Sequence, residues 1–197
     1  MPSLARLRAQ LTHAAGNDHM VRIARTSQPG DRIDGFVLAV GRKWSLVRKT
    51  MDGGFLDGYA AIRTDDITNV RPDMSFESEF TKTLPEWPLG LPELAEPLDL
   101  DNTERMLRCL LHPKRLVAIE RKKPSDATWI GVPFALERKR LYLWEVDPQA
   151  RWHREPFGYA LRSITAVLLD NHYQHALGTV APECPDEAMT PPWTGTS

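Results

Sequence analysis

The sequence predicts a mainly β (α+β) protein: two small antiparallel barrels of five strands in tandem, each preceded by a short α-helix. Three observations carry this expectation. Short runs of period-two apolar alternation recur between turn residues, two proline-rich acidic stretches set off two globular pieces, and the second piece repeats the pattern of the first. The composition agrees, with 42% hydrophobic and 26% charged residues and two cysteines among 197. It excludes collagen-like, wholly disordered and disulfide-framework chains. No apolar run approaches the roughly 18 residues that span a bilayer, so no membrane partner is expected. Arginines interrupt the apolar residues at the start of the chain, where a secretory leader would be continuous, and Cys109 and Cys184 suit a reducing compartment; a cytoplasmic protein is expected.

Taking the elements in order, Ser3 is placed to cap a helix whose Leu4, Leu7 and Leu11 form one stripe. Strands follow at Met20–Thr26, Ile33–Val40, Trp44–Lys49, Tyr59–Arg63 and Ile67–Val70, with turns at Gln28-Pro-Gly-Asp31 and Asp52-Gly-Gly54. A second helix is expected where Asp101 and Glu104 have capping-box spacing before Met106, Leu107, Leu110 and Leu111, ending at Pro113. Its strands are Leu116–Lys122, Trp129–Leu136, Arg140–Val146, Phe157–Arg162 and Ile164–Leu169, with turns at Pro124-Ser-Asp126 and Asp147-Pro-Gln149. At an offset of 96 residues, Met20–Arg25 falls on Leu116–Arg121, Gly35–Val40 on Gly131–Leu136, and Arg42-Lys43 on Arg138-Lys139. One added loop residue then places Ile67–Val70 on Ile164–Val167, so an internal duplication is expected. Five strands in so short a span are too few for a sandwich and suit a bent barrel, with Gly35 and Gly131 letting each second strand bend.

Helix, strand, bent second strand opening at glycine, third strand and a closing Ile67-Thr-Asn-Val-Arg-Pro72 resemble the Sm-like fold of Hfq and LSm proteins, a small barrel of SH3-like type. The resemblance implies two tandem Sm-like units. The family's closing-strand signatures, Arg-Gly-Asn and Tyr-Lys-His, are absent, so no family binding residue is carried across. The chain is also similar to a type of bacterial protein with the pattern Leu56-Asp-Gly-Tyr59 and Asp66-Ile67, a similarity that implies no activity.

The expected organisation is a first helix-plus-barrel repeat at 1–83, a proline-rich acidic linker at 84–101, a second repeat at 102–180 and a disordered tail at 181–197. Linker and tail hold half of the 16 prolines, which cannot propagate a helix or a ladder. They also hold nine of the acidic residues when the linker is counted through Glu104, so the net charge of −1 conceals about +8 on the remainder. Neutrality therefore does not exclude a polyanionic partner. Trp87 and Leu89 in the linker are expected to strap across a barrel, with an extended ligand for another protein as the alternative.

No catalytic constellation is legible: there is no phosphate-cradling glycine loop, no Gly-x-Ser-x-Gly elbow and no His-Glu-x-x-His. Asp65-Asp66 reads as a surface turn and Cys109 as a small core residue. Asp170, His172 and His175, with Cys184 nearby in sequence, have some metal-ligand character but read as a solvated helical face, because Cys184 sits in a proline-rich tail and Asp170 ends a strand. No cofactor or metal is expected. The second repeat is more basic and interleaves Trp129, Tyr142, Trp144 and Trp152 with basic residues. That pattern marks Arg138, Lys139, Arg140, Trp144, Trp152 and Arg154 as candidates for binding RNA or single-stranded DNA, although alternation of aromatic core and basic surface gives the same pattern. The leading functional expectation is a non-catalytic adaptor that binds a protein partner through an exposed strand edge, with a homo-oligomer as one form of that partnership.

Overall fold

The computed structural model describes residues 3–94, 96–123, 127–137 and 139–185. Arg138, the residues 124–126 where a turn is expected, and the expected tail from 186, with its Pro191-Pro-Trp193, lie outside them. The first half comprises α1 (Leu4–Gly16), β1 (Met20–Arg25), β2 (Arg32–Val40), β3 (Trp44–Thr50), β4 (Leu56–Arg63), β5 (Ile67–Pro72) and α2 (Phe76–Thr81). The second comprises α3 (Thr103–Leu110), β6 (Val117–Arg121), β7 (Thr128–Glu137), β8 (Arg140–Glu145), β9 (Phe157–Ala160), β10 (Ile164–Leu169) and α4 (His172–Val180). Ser3 caps α1 by accepting from the Arg6 N–H, leaving Leu7 and Leu11 buried and Leu4 exposed. The cap of α3 is Asn102 rather than Asp101. Asp101 is held instead by the backbone N–H and guanidinium of Arg42, at 2.6 and 2.8 Å.

The strands form a single ten-stranded antiparallel sheet that is not closed, in the order β5-β1-β2-β3-β4-β10-β6-β7-β8-β9. The five-strand sets are therefore continuous: Ala60 and Ala61 of β4 pair with Leu168 and Val167 of β10. Within each set the order is fifth, first, second, third, fourth. The row Val21–Gly35–Lys49 across β1 to β3 recurs as Val117–Gly131–Glu145 across β6 to β8, each residue 96 further on. The bulge between Val37 and Ala39 recurs between Pro133 and Ala135.

Burial explains why one closing strand is central and the other lies at the rim. Every residue of β10 is buried. Ile164, Val167 and Leu169 enter a core with Trp44, Leu107 and Leu141, while Ala166 and Leu168 enter another with Leu11, Ile23 and Ile62. A strand apolar on both faces belongs where both faces are covered. In β5 only Ile67 and Val70 are buried, and Arg71 and Pro72 are exposed. A side chain at Gly35 would collide with the Arg48 carbonyl and one at Gly131 with the Trp144 carbonyl, so both glycines permit close approach of the second and third strands. Gly131→Ala is expected to destabilise the protein by about 1–3 kcal/mol, read as a lower denaturant midpoint at unchanged slope.

The linker is laid along the sheet. Trp87 meets Phe36 edge-on at 5.3 Å, as a strap requires. Leu94 and Leu98 pack on the main core, and the Leu100 carbonyl accepts from the Trp44 N–H at 3.0 Å. The start of the tail also packs, since the Trp152 indole donates to the Pro182 carbonyl at 3.0 Å and Cys184 joins the cluster around Trp144.

Candidate functional site

The sheet's outer strands, β5 and β9, have a strand neighbour on one side only, so main-chain donors and acceptors face outward there. Just past β5, Asp73 donates its N–H to the Met20 carbonyl at 2.8 Å, and the register pairs Arg71 with Arg22 and Val70 with Ile23. Alternation of bonded and non-bonded pairs then turns the Val70 N–H away from β1. The next outward position is Pro72, which has no N–H to offer. Beyond this edge the chain exposes apolar groups: Met74 is 91% and Phe76 73% exposed, and Phe55, stacked edge-on against Phe80, is 50% exposed. Ser75 caps α2, and Asp73 accepts from the Ser75 N–H while holding the Arg22 guanidinium at 3.1 Å. Burial opposes charge on Asp73, but the Ser75 and Arg22 contacts outweigh it and hold its carboxyl below the ordinary range.

The described nucleic-acid candidates, which leave out Arg138, do not form one surface. Lys139 and Arg140 line a cleft of about 730 Å³ together with Lys43, Arg63, Lys122 and Arg162, of which only Lys139 and Arg140 were marked by the sequence. Trp144 lies four residues along β8, about 13 Å away. It is buried under Phe134 and Trp152, with its indole N–H donated to the His153 carbonyl at 2.7 Å. Trp152 is spent on Pro182 and Arg154 is exposed outside the cleft. Trp144 and Trp152 are thus separated from Lys139 and Arg140, a separation that interleaving in sequence conceals.

Other titratable groups are occupied structurally. Asp57 accepts from the His172 N–H at 2.9 Å, faces its ring Nδ1 at 3.0 Å and takes Lys49 Nζ at 2.6 Å, tying the start of α4 to the first half. Burial raises the cost of its charge, yet these partners hold its carboxyl below the usual range. Glu145 accepts from the Tyr159 hydroxyl, and burial pushes both groups upward. Buried Arg25 pairs with Glu120 across the two halves. This pair was legible only as a charged residue at the inward phase of the Val21, Ile23, Arg25 alternation. Among the described residues no group of three or more His, Cys, Asp or Glu could hold a metal, and no helix is long and apolar enough to cross a membrane. Compared with known proteins, the chain matches no family model, no curated protein and no solved structure.

Proposed function

We propose that the chain is a non-catalytic adaptor, a duplicated small-barrel module of Sm-like or SH3-like type that binds a protein partner by adding one of its strands to the edge of β5. The observation that carries this reading is the one-sided pairing of β5 beside exposed Met74 and Phe76. Main-chain hydrogen bonds supply affinity at such an edge, and neighbouring apolar side chains supply selectivity. Duplication is supported by the rows and bulges repeated 96 residues apart and by the repeated strand order. It leaves the closing strand of the first half without the cover that β10 receives.

Met74→Glu combined with Phe76→Glu tests the reading, because both side chains are exposed and the substitutions leave the core intact. Proteins captured reproducibly by the tagged full-length chain are expected to be lost with the double variant, and the Val70 amide is expected to gain exchange protection on binding. An unchanged set of captured proteins would sink the edge as the binding surface. A second copy of the chain as partner would appear as a rise in mass with concentration that the double variant abolishes.

A further inference from the structure

The cleft holding Lys139 and Arg140 is built from both halves. Lys43 comes from the β2–β3 turn, Lys139 and Arg140 from the β7–β8 turn, Lys122 from the end of β6, and Arg162 from the turn after β9. The two turn lysines are presented in the same way. The Lys43 carbonyl accepts from the Thr64 N–H at 2.9 Å, and the Lys139 carbonyl accepts from the Leu161 N–H at 2.9 Å. Thr64 and Leu161 each open the 3-10 turn that follows the fourth strand of their half, Thr64–Asp66 and Leu161–Ser163. Both lysine backbones are thereby fixed before any ligand arrives, which lowers the ordering cost of binding.

The charge of the cleft is uncompensated. Six cations line it against two carboxylates, Asp65 and Glu104. Among the described residues no carboxylate lies within 4 Å of Lys43, Lys122, Lys139, Arg140 or Arg162. Arg63 is the exception in role: its guanidinium is spent on the Ile164 and Leu161 carbonyls, both at 2.7 Å, so it contributes charge to the floor without being a free donor fork. Several like charges held together in one concavity repel one another and attract a multivalent anion.

The walls narrow the class of anion. Among the described residues they carry no aromatic side chain to stack a base. Among the same residues Ala160 and Leu161 are the only apolar side chains lining the cleft, which gives an acidic peptide little apolar surface to bury. Extent narrows it further, because a neighbouring cavity of about 400 Å³ shares Lys122 and Asp65 with the cleft and adds Lys123 and Asp66, whose carboxylate is already occupied by the Ser27 N–H and hydroxyl. Lys122 and Lys123 at the junction carry the positive charge past the rim of the cleft, which fits an extended ligand better than a single compact one.

We infer that this cleft binds a linear chain of phosphates, recognised through its charge and not through bases. Two sources share that chemistry, the backbone of a single-stranded nucleic acid and inorganic polyphosphate. The site is separate from the β5 edge and does not rest on the adaptor reading.

The test uses the full-length chain, a fluorescently labelled mixed-sequence single-stranded DNA of about 20 nucleotides as probe, and inorganic polyphosphate as competitor. Five phosphate contacts give a slope of log K against log salt of about −3.5. Lys43→Glu with Lys139→Glu is expected to weaken binding at least tenfold and to flatten that slope. Lys114→Glu with Arg154→Glu makes the same change in net charge at exposed positions outside the cleft and is expected to alter affinity less than twofold. Lys122→Ala, a milder exposed change, is expected to weaken binding severalfold, so a folding defect in the double reversal does not decide the matter. Displacement of the DNA by polyphosphate supports recognition of phosphates alone, and failure to displace it overturns that claim. The site itself is overturned by an absence of saturable binding at low salt, or by equal losses in the two charge-reversed variants.

Discussion

Arg25→Ala is expected to destabilise the folded protein by about 3–5 kcal/mol, and so to lower the thermal midpoint by roughly 6–20 °C. The Arg25 side chain is fully buried and pairs with Glu120, whose side chain is 8% exposed. Its second partner, Asp31, lies 3.3 Å away and is largely exposed. Truncation leaves the Glu120 carboxylate facing an interior that gives it no counter-charge, and that uncompensated charge is the source of the cost. The pair joins β1 to β6, and Ser27 beside it reaches the Thr165 hydroxyl on β10 at 3.2 Å, so the loss falls on the contact between the halves. Replacing both members, Arg25→Met with Glu120→Leu, is expected to recover most of the stability because neither charge is then stranded. Chemical denaturation of the three proteins measures this, and a single-variant loss below about 1 kcal/mol would contradict it.

Trp44→Ala is expected to cost a similar amount, about 3–5 kcal/mol. The ring is fully buried in the main core, beneath the Arg63 guanidinium at 4.8 Å, and its indole N–H donates to the Thr103 hydroxyl at 3.0 Å. Thr103 is the first residue of α3, so one side chain of the first half holds the helix that opens the second. The substitution removes both the buried volume and that tether. Trp44→Phe keeps most of the volume and loses the hydrogen bond, and is expected to fall between wild type and Trp44→Ala. Denaturation midpoints give the order of the three, and a Phe variant as unstable as the Ala variant would show that the tether outweighs the packing.

Local pattern made most of the strands legible. The expected Trp44–Lys49 lies within β3, which runs Trp44–Thr50, and Ile164–Leu169 coincides with β10. Period-two alternation is a property of neighbouring residues, and burial of one face follows from it. The second cap was misplaced because Asp101 and Asn102 are both good caps in sequence, and only the position of Arg42 shows which of them is already taken. Helix α2 was missed because its six residues, Phe76–Thr81, are too few to show a period. The candidate site was half legible. Lys139 and Arg140 stand in an obvious basic run, but Lys43, Lys122 and Arg162 join them only after the strands are paired.

By itself the sequence determined the alternation that makes strands, the 96-residue recurrence of apolar positions, and the concentration of acid and proline in the linker and tail. Those are local or self-comparing properties, readable without knowing what touches what. Only the tertiary structure decided that β4 pairs with β10, so that two sets of five strands become one sheet with β10 central and β5 at the rim. The physical reason is that side chains report how far a strand is covered, as all-buried β10 and Pro72 of β5 do, but not which strand it pairs with. Main-chain groups are alike at every residue but proline, so the identity of the partner depends on what the rest of the chain brings alongside.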